Sequence, residues 1–309
     1  MSKLLVFGHL NPDTDAIGAA IAYAHFLNQI GEETEAVALG TPNDETRFAL
    51  EQFNVPVPRV IDQAAPEVER VALVDHNEFA QSVADIRDVQ IDYVVDHHRI
   101  ANFETAGPLY YRAEPIGSTS SVLFKLYQEK GIEIPTDVAG MMLSAIISDT
   151  LLFKSPTCTP EDVKIAQQLA EIAQVDVNEY GIQMLKAGAD VSARSAMDIV
   201  DGDAKTFDMN GHKVRIGQVN TVGFVDILKR KAEFLDVMQS ELSKHDYAIF
   251  LLVITDILEN DSIGLVAGGD TTPVTKAFGQ AITDNQLNLP QIVSRKKQVV
   301  PPLTDAYMS

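Results

Sequence analysis

The chain has 309 residues, with 24 Lys+Arg against 44 Asp+Glu, a formal charge of −20. The acidity is uneven: residues 1–190 hold 12 basic and 29 acidic side chains (−17), residues 191–309 hold 12 and 15 (−3). A chain this acidic lacks the broad positive surface that duplex DNA or an anionic membrane requires, so neither is expected as a partner. The 46% hydrophobic and 22% charged fractions are those of a soluble globular protein. Its only cysteine, Cys158, excludes an intrachain disulfide and fits a reducing, cytoplasmic setting. The apolar runs are too short to span a bilayer. The N-terminus runs directly into a strand-like segment, and no secretory leader is expected.

In chain order, residues 4–7 read as a buried strand. A polar stretch, 9–15, follows. Ile17, Ala20, Ile21, Ala24 and Leu27 then recur at helical spacing, with Gly31 as the stop. Residues 37–39 read as a second strand, 46–53 as a helix, and 71–74 and 93–95 as two further strands. Helices are expected over 118–130, with Ser118 or Thr119 at the N-cap, and over 137–149. Strand–helix alternation of this kind predicts an α/β domain, a mostly parallel sheet with helices on both faces. The texture changes near residue 190. Small and polar residues over 186–194 predict a hinge at 189–194 between domains at 1–188 and 195–309. Beyond it, strand-like segments (213–219, 247–255, 262–266) mix with helical ones (224–243, 274–281), which predicts a smaller α+β domain.

Four apolar runs end in Asp or His. They lead into His9–Asp15, into Asp75-His76-Asn77, into Asp96-His97-His98, and into Ser148-Asp149. In a parallel sheet the carboxyl ends of the strands open on one edge, where ligands bind. Carboxylates and imidazoles without thiolates are ligands for divalent cations, and the set suits Mn²⁺, Co²⁺ or Mg²⁺ better than a structural zinc. Four carboxylates brought together repel one another; two divalent cations would offset them and would form a two-metal site for phosphoryl displacement. An isolated Asp at a strand end is ordinarily a cap, and Asp15 alone reads as the cap of the helix after it. Four independent caps combined with three histidines are harder to explain that way. His76, adjacent to Asp75, faces the opposite side of a continuing strand and is left out of the site. His25, His212 and His245 read as surface or packing residues, and Cys158 as an unactivated thiol.

The densest positive spot is Ser294-Arg295-Lys296-Lys297, read as an extended segment that presents alternate charges to phosphate. Lys229-Arg230-Lys231 is its rival, but it lies beside Glu233 and Asp236 and reads as a solvated helix face. Lys205 carries no local signal.

The motifs Gly8-His9-x-Asn11-Pro12-Asp13-x-Asp15, Asp75-His76-Asn77, Asp96-His97-His98, Ser148-Asp149 and Ser294-Arg295-Lys296 resemble those of family II inorganic pyrophosphatases. These are manganese- or cobalt-dependent members of the DHH phosphoesterase superfamily. The resemblance runs from residue 3 to about 305 and implies a metal-binding catalytic DHH domain followed by a substrate-binding DHHA2-type domain. It also implies roles. His9, Asp13 and Asp75 would hold one metal; Asp15, Asp75, His97 and Asp149 the other. Asp75 would bridge. His98 would contact substrate and act as an acid near the leaving oxygen, with Asp96 orienting a histidine. Lys205, Arg295 and Lys296 would bind the terminal phosphate. Two Mn²⁺ or Co²⁺ per subunit, further Mg²⁺ or Mn²⁺ arriving with pyrophosphate, a metal-bridging hydroxide nucleophile, an active site between the domains and a cytoplasmic homodimer joined through the first domain complete the expectation. The nearest alternative is another DHH-type phosphoesterase, an exopolyphosphatase or a small nucleotide or oligonucleotide phosphatase. Against the nucleotide reader stand the absence of Trp and the sparse aromatics around Gly268-Gly269. A metal store with no activity would have no use for Arg295 and Lys296.

Overall fold

The computed structural model describes residues 3–308. The chain separates into two compact units, one ending at Gly188 and the other beginning at Ala189. The first contains β1 (Leu4–Phe7), α1 (Thr14–Gln29), β2 (Thr34–Ala36), α2 (Asp44–Gln52), β3 (Arg70–Val74), β4 (Gln90–Asp96), β5 (Tyr110–Ala113), α3 (Thr119–Lys130), α4 (Thr136–Thr150), α5 (Pro160–Ala173) and α6 (Val177–Gly188).

Its five strands form one parallel sheet in the order β2-β1-β3-β4-β5. The chain leaves β1 toward one edge and returns at β3 to build toward the other. The order therefore reverses between β1 and β3, and a crevice opens at their carboxyl ends. Alternation along the strands sends Leu5, Phe7, Val71, Leu73 and Val94 into one apolar core with Ile61, Val68, Val83 and Ile86. That face is closed by loops and by two 3₁₀ turns, Phe79–Gln81 and Ile86–Asp88. Leu4, Val6, Ala72 and Val74, also fully buried, point to the opposite face, against which α1 packs. Helices α1 and α4 lie together, and α2 packs on α4 and α6.

Several element bounds differ from the sequence expectation. The second strand is Thr34–Ala36, three residues earlier than 37–39. Val37–Leu39 remains buried but leaves the ladder after Val37 donates to the Val6 carbonyl, and Ala38 then bridges to Val60. The helix expected from 46 starts at Asp44, capped by Asn43, whose side chain accepts from the Thr46 amide at 2.8 Å. Ser118 is the N-cap of α3, and Gly131, in the left-handed region at φ 63°, ends it. The edge strand β5 and the helices α5 and α6 have no counterpart in the sequence expectation.

The second unit contains α7 (Ala196–Asp201), β6 (Lys205–Met209), β7 (His212–Thr221), α8 (Val225–Leu228), α9 (Lys231–His245), β8 (Ile249–Asp256), β9 (Asp261–Gly268), α10 (Thr272–Phe278), β10 (Gln286–Leu289) and α11 (Val300–Met308). Its sheet is mixed, in the order β10-β9-β8-β7-β6, with only β7 and β8 parallel. The central β8 is buried along its whole length and divides two apolar cores. The helix expected over 224–243 is two helices, α8 and α9, with Lys229 and Arg230 at the junction. Among the described residues no helix is long and apolar enough to cross a membrane.

Gly8, directly after β1, has its backbone against α1. A Cβ there would lie 2.5 Å from the Ala16 Cβ and 2.6 Å from the Ala16 carbonyl oxygen. Glycine therefore sets how closely the strand end approaches the helix. Gly8→Val should lower the stability of the protein by about 1–3 kcal/mol through overpacking. Urea unfolding would read this as a lower midpoint at unchanged slope.

Candidate active site

The crevice between β1 and β3 collects most of the acidic and histidine motifs of the first unit. Asp13 is the N-cap of α1, its Oδ1 accepting from the Ala16 amide at 2.9 Å. Asp15, which in sequence reads as the cap, is not; it is fully buried inside the first turn. Its carboxylate instead meets the start of α3. Oδ2 accepts from the Thr119 amide at 2.7 Å, and Oδ1 from the Ser120 amide at 3.2 Å and the Ser120 hydroxyl at 2.7 Å. The amides and dipole of a helix N-terminus favour negative charge there.

Asp75 follows β3 in the left-handed region at φ 58° and is buried. It lies at the centre of the cluster. Its Oδ1 accepts from the Thr119 hydroxyl at 3.0 Å and lies 3.4 Å from His97 Nε2; its Oδ2 lies 3.5 Å from His9 Nε2. His9 Nε2 is also 3.4 Å from Asp13, and His97 Nε2 is 3.8 Å from Asp149. The other ring nitrogens are tied to backbone: His9 Nδ1 to the Leu10 carbonyl and His97 Nδ1 to the Ile116 carbonyl, each at 2.9 Å. An Nδ1–H donated to a carbonyl fixes the tautomer and leaves the Nε2 lone pair for a cation.

Two ligand groups result, each with one donor atom per residue and all atoms within 4.8 Å of one another. They are His9, Asp13 and Asp75, and Asp15, Asp75, His97 and Asp149. Asp75 belongs to both. A third set, Asp75, His97 and His98, overlaps them. The donors are oxygen and nitrogen only, and Asp149 Oδ2 is buried with no hydrogen-bond partner. An orphaned carboxylate oxygen at the focus of such a set fits a bound divalent cation.

The electrostatics agree. Burial, with the charge of Asp75 next, pushes the Asp15 carboxyl up to about 7. Burial and the charges of Asp15 and Asp75 hold Asp149 well above the usual carboxylate range. Burial opposes the charge on Asp75 too, but His9 and His97 outweigh it and keep this carboxyl below its ordinary value. Burial disfavours the charged imidazoles, yet the carboxylates raise His9 to about 11 and His97 to about 9. Without a cation, then, protons neutralise the cluster.

His98 is half exposed, and its orientation comes from Asp96. The buried Asp96 Oδ1 accepts from the His97 amide at 2.8 Å and the His98 amide at 3.1 Å, and pairs with His98 Nδ1 at 3.0 Å. Its Oδ2 accepts from the Asn77 side-chain amide at 2.6 Å. Asp96 thereby holds His98 above its ordinary pKa. His76 belongs to none of the ligand groups; its Nδ1 lies on the Val74 carbonyl and its Nε2 is buried without a partner. The half-buried Cys158 has its thiol pushed up by burial. His25, His212 and His245 pair with Tyr127, Tyr307 and Glu241 respectively.

In the second unit, Lys205 opens β6 and pairs in register with Ile216. The Arg295 guanidinium donates to the Ile216 carbonyl at 3.3 Å, so Lys205 and Arg295 come to one place. Arg295 also grips Asp203, through its carbonyl and through its carboxylate at 3.1 Å. The segment is not extended as expected. Arg295–Val299 is a π-helical turn that runs into α11. Ser294 Oγ accepts from the Lys297 amide, and the Gln298 side chain accepts from the amides of Val293 and Ser294. The prolines at 301 and 302 sit in the first turn of α11, where a missing N–H costs nothing. The rival Lys229-Arg230-Lys231 is spent on Asp226, Glu233 and Asp284.

Sequence reasoning misses Thr119 and Ser120 as holders of Asp15, Asn77 as a support of Asp96, and Asp203. The polar run Ser118–Ser121 is the one available signal, and by itself it reads only as a cap.

The first unit matches the sequence model of the DHH family N-terminal domain over residues 3–146, and the DHHA2 domain model matches residues 182–306. The chain is 55% identical over 307 residues to the "Probable manganese-dependent inorganic pyrophosphatase" of Enterococcus faecalis, covering 99% of this chain and 100% of that one. It is 56% identical to the protein of the same name from Lactobacillus helveticus, with 99% of each chain covered. Among solved structures, a Methanococcus jannaschii protein assigned to family II inorganic pyrophosphatases aligns with TM-score 0.63 and 39% identity over 99% of this chain and all of that one. An exopolyphosphatase-related protein from Bacteroides fragilis, at 15% identity and TM-score 0.53, shares the fold over 99% of this chain and 92% of that one. The fold is that of a DHH-type enzyme with a DHHA2 domain. The chain belongs to the manganese-dependent, family II inorganic pyrophosphatases.

A cation must displace the protons held by Asp15, Asp149, His9 and His97. Mn²⁺ binding should therefore release protons, and affinity should rise with pH through the values of about 7 at Asp15 and about 9 at His97. Calorimetry in two buffers of different ionisation enthalpy would show this; the expected buffer-dependent heat would be missing if the carboxylates and both imidazoles were already free of these protons.

Proposed function

We propose that this protein hydrolyses inorganic pyrophosphate to two phosphates at a site holding two divalent cations. The observation that carries the reading is the pair of ligand groups sharing Asp75, in a chain that matches pyrophosphatases over nearly its whole length. His9, Asp13 and Asp75 would hold one cation, and Asp15, Asp75, His97 and Asp149 the other. Mn²⁺ or Co²⁺ suits this donor set, and a further Mg²⁺ or Mn²⁺ would arrive with the substrate. When bound, the cations would supply charge that offsets the carboxylates, polarise phosphoryl oxygens and lower the pKa of a water enough to make a hydroxide nucleophile available near neutral pH.

The chain's own residues do the rest. Asp15, gripped by the start of α3, and Asp75, gripped by Thr119, keep the ligand oxygens in place and so limit reorganisation during the reaction. Asp96 fixes His98 Nδ1 and leaves Nε2 to face substrate. Asp96 raises the His98 pKa, which favours the protonated imidazole that would supply a proton to the departing phosphate. Lys205, Arg295 and Lys296 bind the terminal phosphate, Arg295 in a fixed fork and the lysines as point charges. For this the linker at 189–194 must let the second unit close on the first. A cytoplasmic homodimer joined through the first unit completes the proposal.

Metal-stripped protein should be inactive and regain pyrophosphate hydrolysis with Mn²⁺ or Co²⁺. Polyphosphate and a dinucleotide assayed alongside should be poor substrates; turnover of either in preference to pyrophosphate would replace this reading. Asp75→Asn should lower kcat by roughly 10²-fold or more and weaken metal binding. Arg295→Ala should raise KM for pyrophosphate by about tenfold or more, and unchanged KM and kcat would remove Arg295 from the site.

A further inference from the structure

Glu45, in the first turn of α2, lies beside the site and belongs to neither ligand group. Its Oε1 accepts two hydrogen bonds, from the Thr14 hydroxyl at 2.9 Å and from the Ser148 hydroxyl at 2.5 Å. Those two donors occupy particular places. Thr14, fully buried, lies between Asp13 and Asp15 at the start of α1; Ser148 precedes Asp149 at the end of α4. One oxygen thus ties together the ends of the two helices that carry Asp15 and Asp149. Asp15 and Asp149 repel each other, and the buried Asp149 Oδ2 has no hydrogen-bond partner to hold it.

Glu45 is itself held from behind. Thr14 Oγ1 also meets Thr46 Oγ1 at 3.0 Å, next in sequence to Glu45. On the other side lies Gly188, where a Cβ would fall 2.8 Å from the Glu45 Cβ and 3.0 Å from its Oε2. The glycine leaves room for the carboxylate, and any larger residue would push it off its two donors.

We propose that Glu45 is a positioning residue of the metal site: by bridging Thr14 and Ser148 it sets the spacing of Asp15 and Asp149, and so the affinity for the cation they share. This rests on the reading that Asp15 and Asp149 hold the same cation. Glu45 acts through the residues next to the ligands, one step beyond the partners bonded to ligands themselves, whose loss typically costs ten- to a hundredfold in affinity.

The test is Mn²⁺ binding to the full-length protein, followed by electron paramagnetic resonance of free Mn²⁺, with thermal melts of the metal-free protein in parallel. Glu45→Ala should weaken one of the two binding steps by about tenfold or more, and kcat should recover at saturating Mn²⁺ with KM for pyrophosphate unchanged. Glu45→Gln keeps an acceptor at Oε1 and should stay within about threefold of the parent. Ser148→Ala and Thr14→Val remove the donors singly and keep the proposal testable if Glu45→Ala folds poorly; each should weaken the same step. Equal Mn²⁺ affinity in Glu45→Ala and the parent would overturn the proposal. So would an equal loss in both binding steps that tracks the melting temperature, since that is a merely structural effect. If the parent binds two Mn²⁺ yet does not hydrolyse pyrophosphate, the proposed function fails while the binding data still decide the role of Glu45.

Discussion

The first unit is organised around the cost of placing Asp13, Asp15, Asp75 and Asp149 at one partly buried rim. Two unit charges about 4 Å apart repel by about 4 kcal/mol at an effective dielectric near 20. A whole domain is stable by only about 5–15 kcal/mol, so the four cannot all ionise without compensation. The structure compensates in three ways. The N-terminus of α3 aims two amides and a hydroxyl at Asp15. His9 and His97 face Asp75 from either side. Burial and mutual repulsion raise the Asp15 and Asp149 carboxyls, which favours bound protons there. The last of these is what a divalent cation replaces, and it makes metal loading and protonation competing states of one cluster.

The sheet topology is what creates the crowding. Reversal of strand order between β1 and β3 makes their ends neighbours, and those ends carry His9 and Asp75. Gly8 lets the β1 end lie against α1, so that Asp13 and Asp15 come within reach. The second unit meets the opposite problem, since it gathers cations. There Asp203 holds Arg295, which keeps the guanidinium oriented at the end of the sheet where Lys205 begins β6. Asp96 does the same for His98. In both cases an acidic residue that takes no part in the ligand groups gives a basic one its direction.

Much of the rim is legible in the sequence. The motifs stand at the ends of apolar runs, and strand ends of a parallel sheet share one edge, so their convergence follows from local pattern alone. Roles within the rim are less legible. Asp13 and Asp15 are two residues apart and chemically identical. Only the burial of Asp15 against α3, more than a hundred residues on, tells the cap from the buried carboxylate. Lys205 looks like any surface lysine because what sets it apart is its register with Ile216, whose carbonyl Arg295 also reaches. The Arg295 segment looks extended because alternating charge after an apolar run suggests a strand; Ser294 and Gln298, by capping its amides, make it helical instead. The edge strand β5 escapes notice because it is short and half exposed, so no buried apolar run announces it.

The sequence by itself determined the donor types, the alternation that builds a parallel sheet, and the family, because these depend on residue identity and spacing along the chain. Tertiary structure decided which carboxylates share a cation-sized space, which histidine nitrogen faces them, that Thr119 and Ser120 hold Asp15, that Glu45 bridges Thr14 and Ser148, and that Asp203 holds Arg295. Those facts depend on contacts between residues far apart in the chain. Hydrogen bonds of that kind leave no periodicity in the sequence, since each partner looks locally like an ordinary polar residue at a helix end.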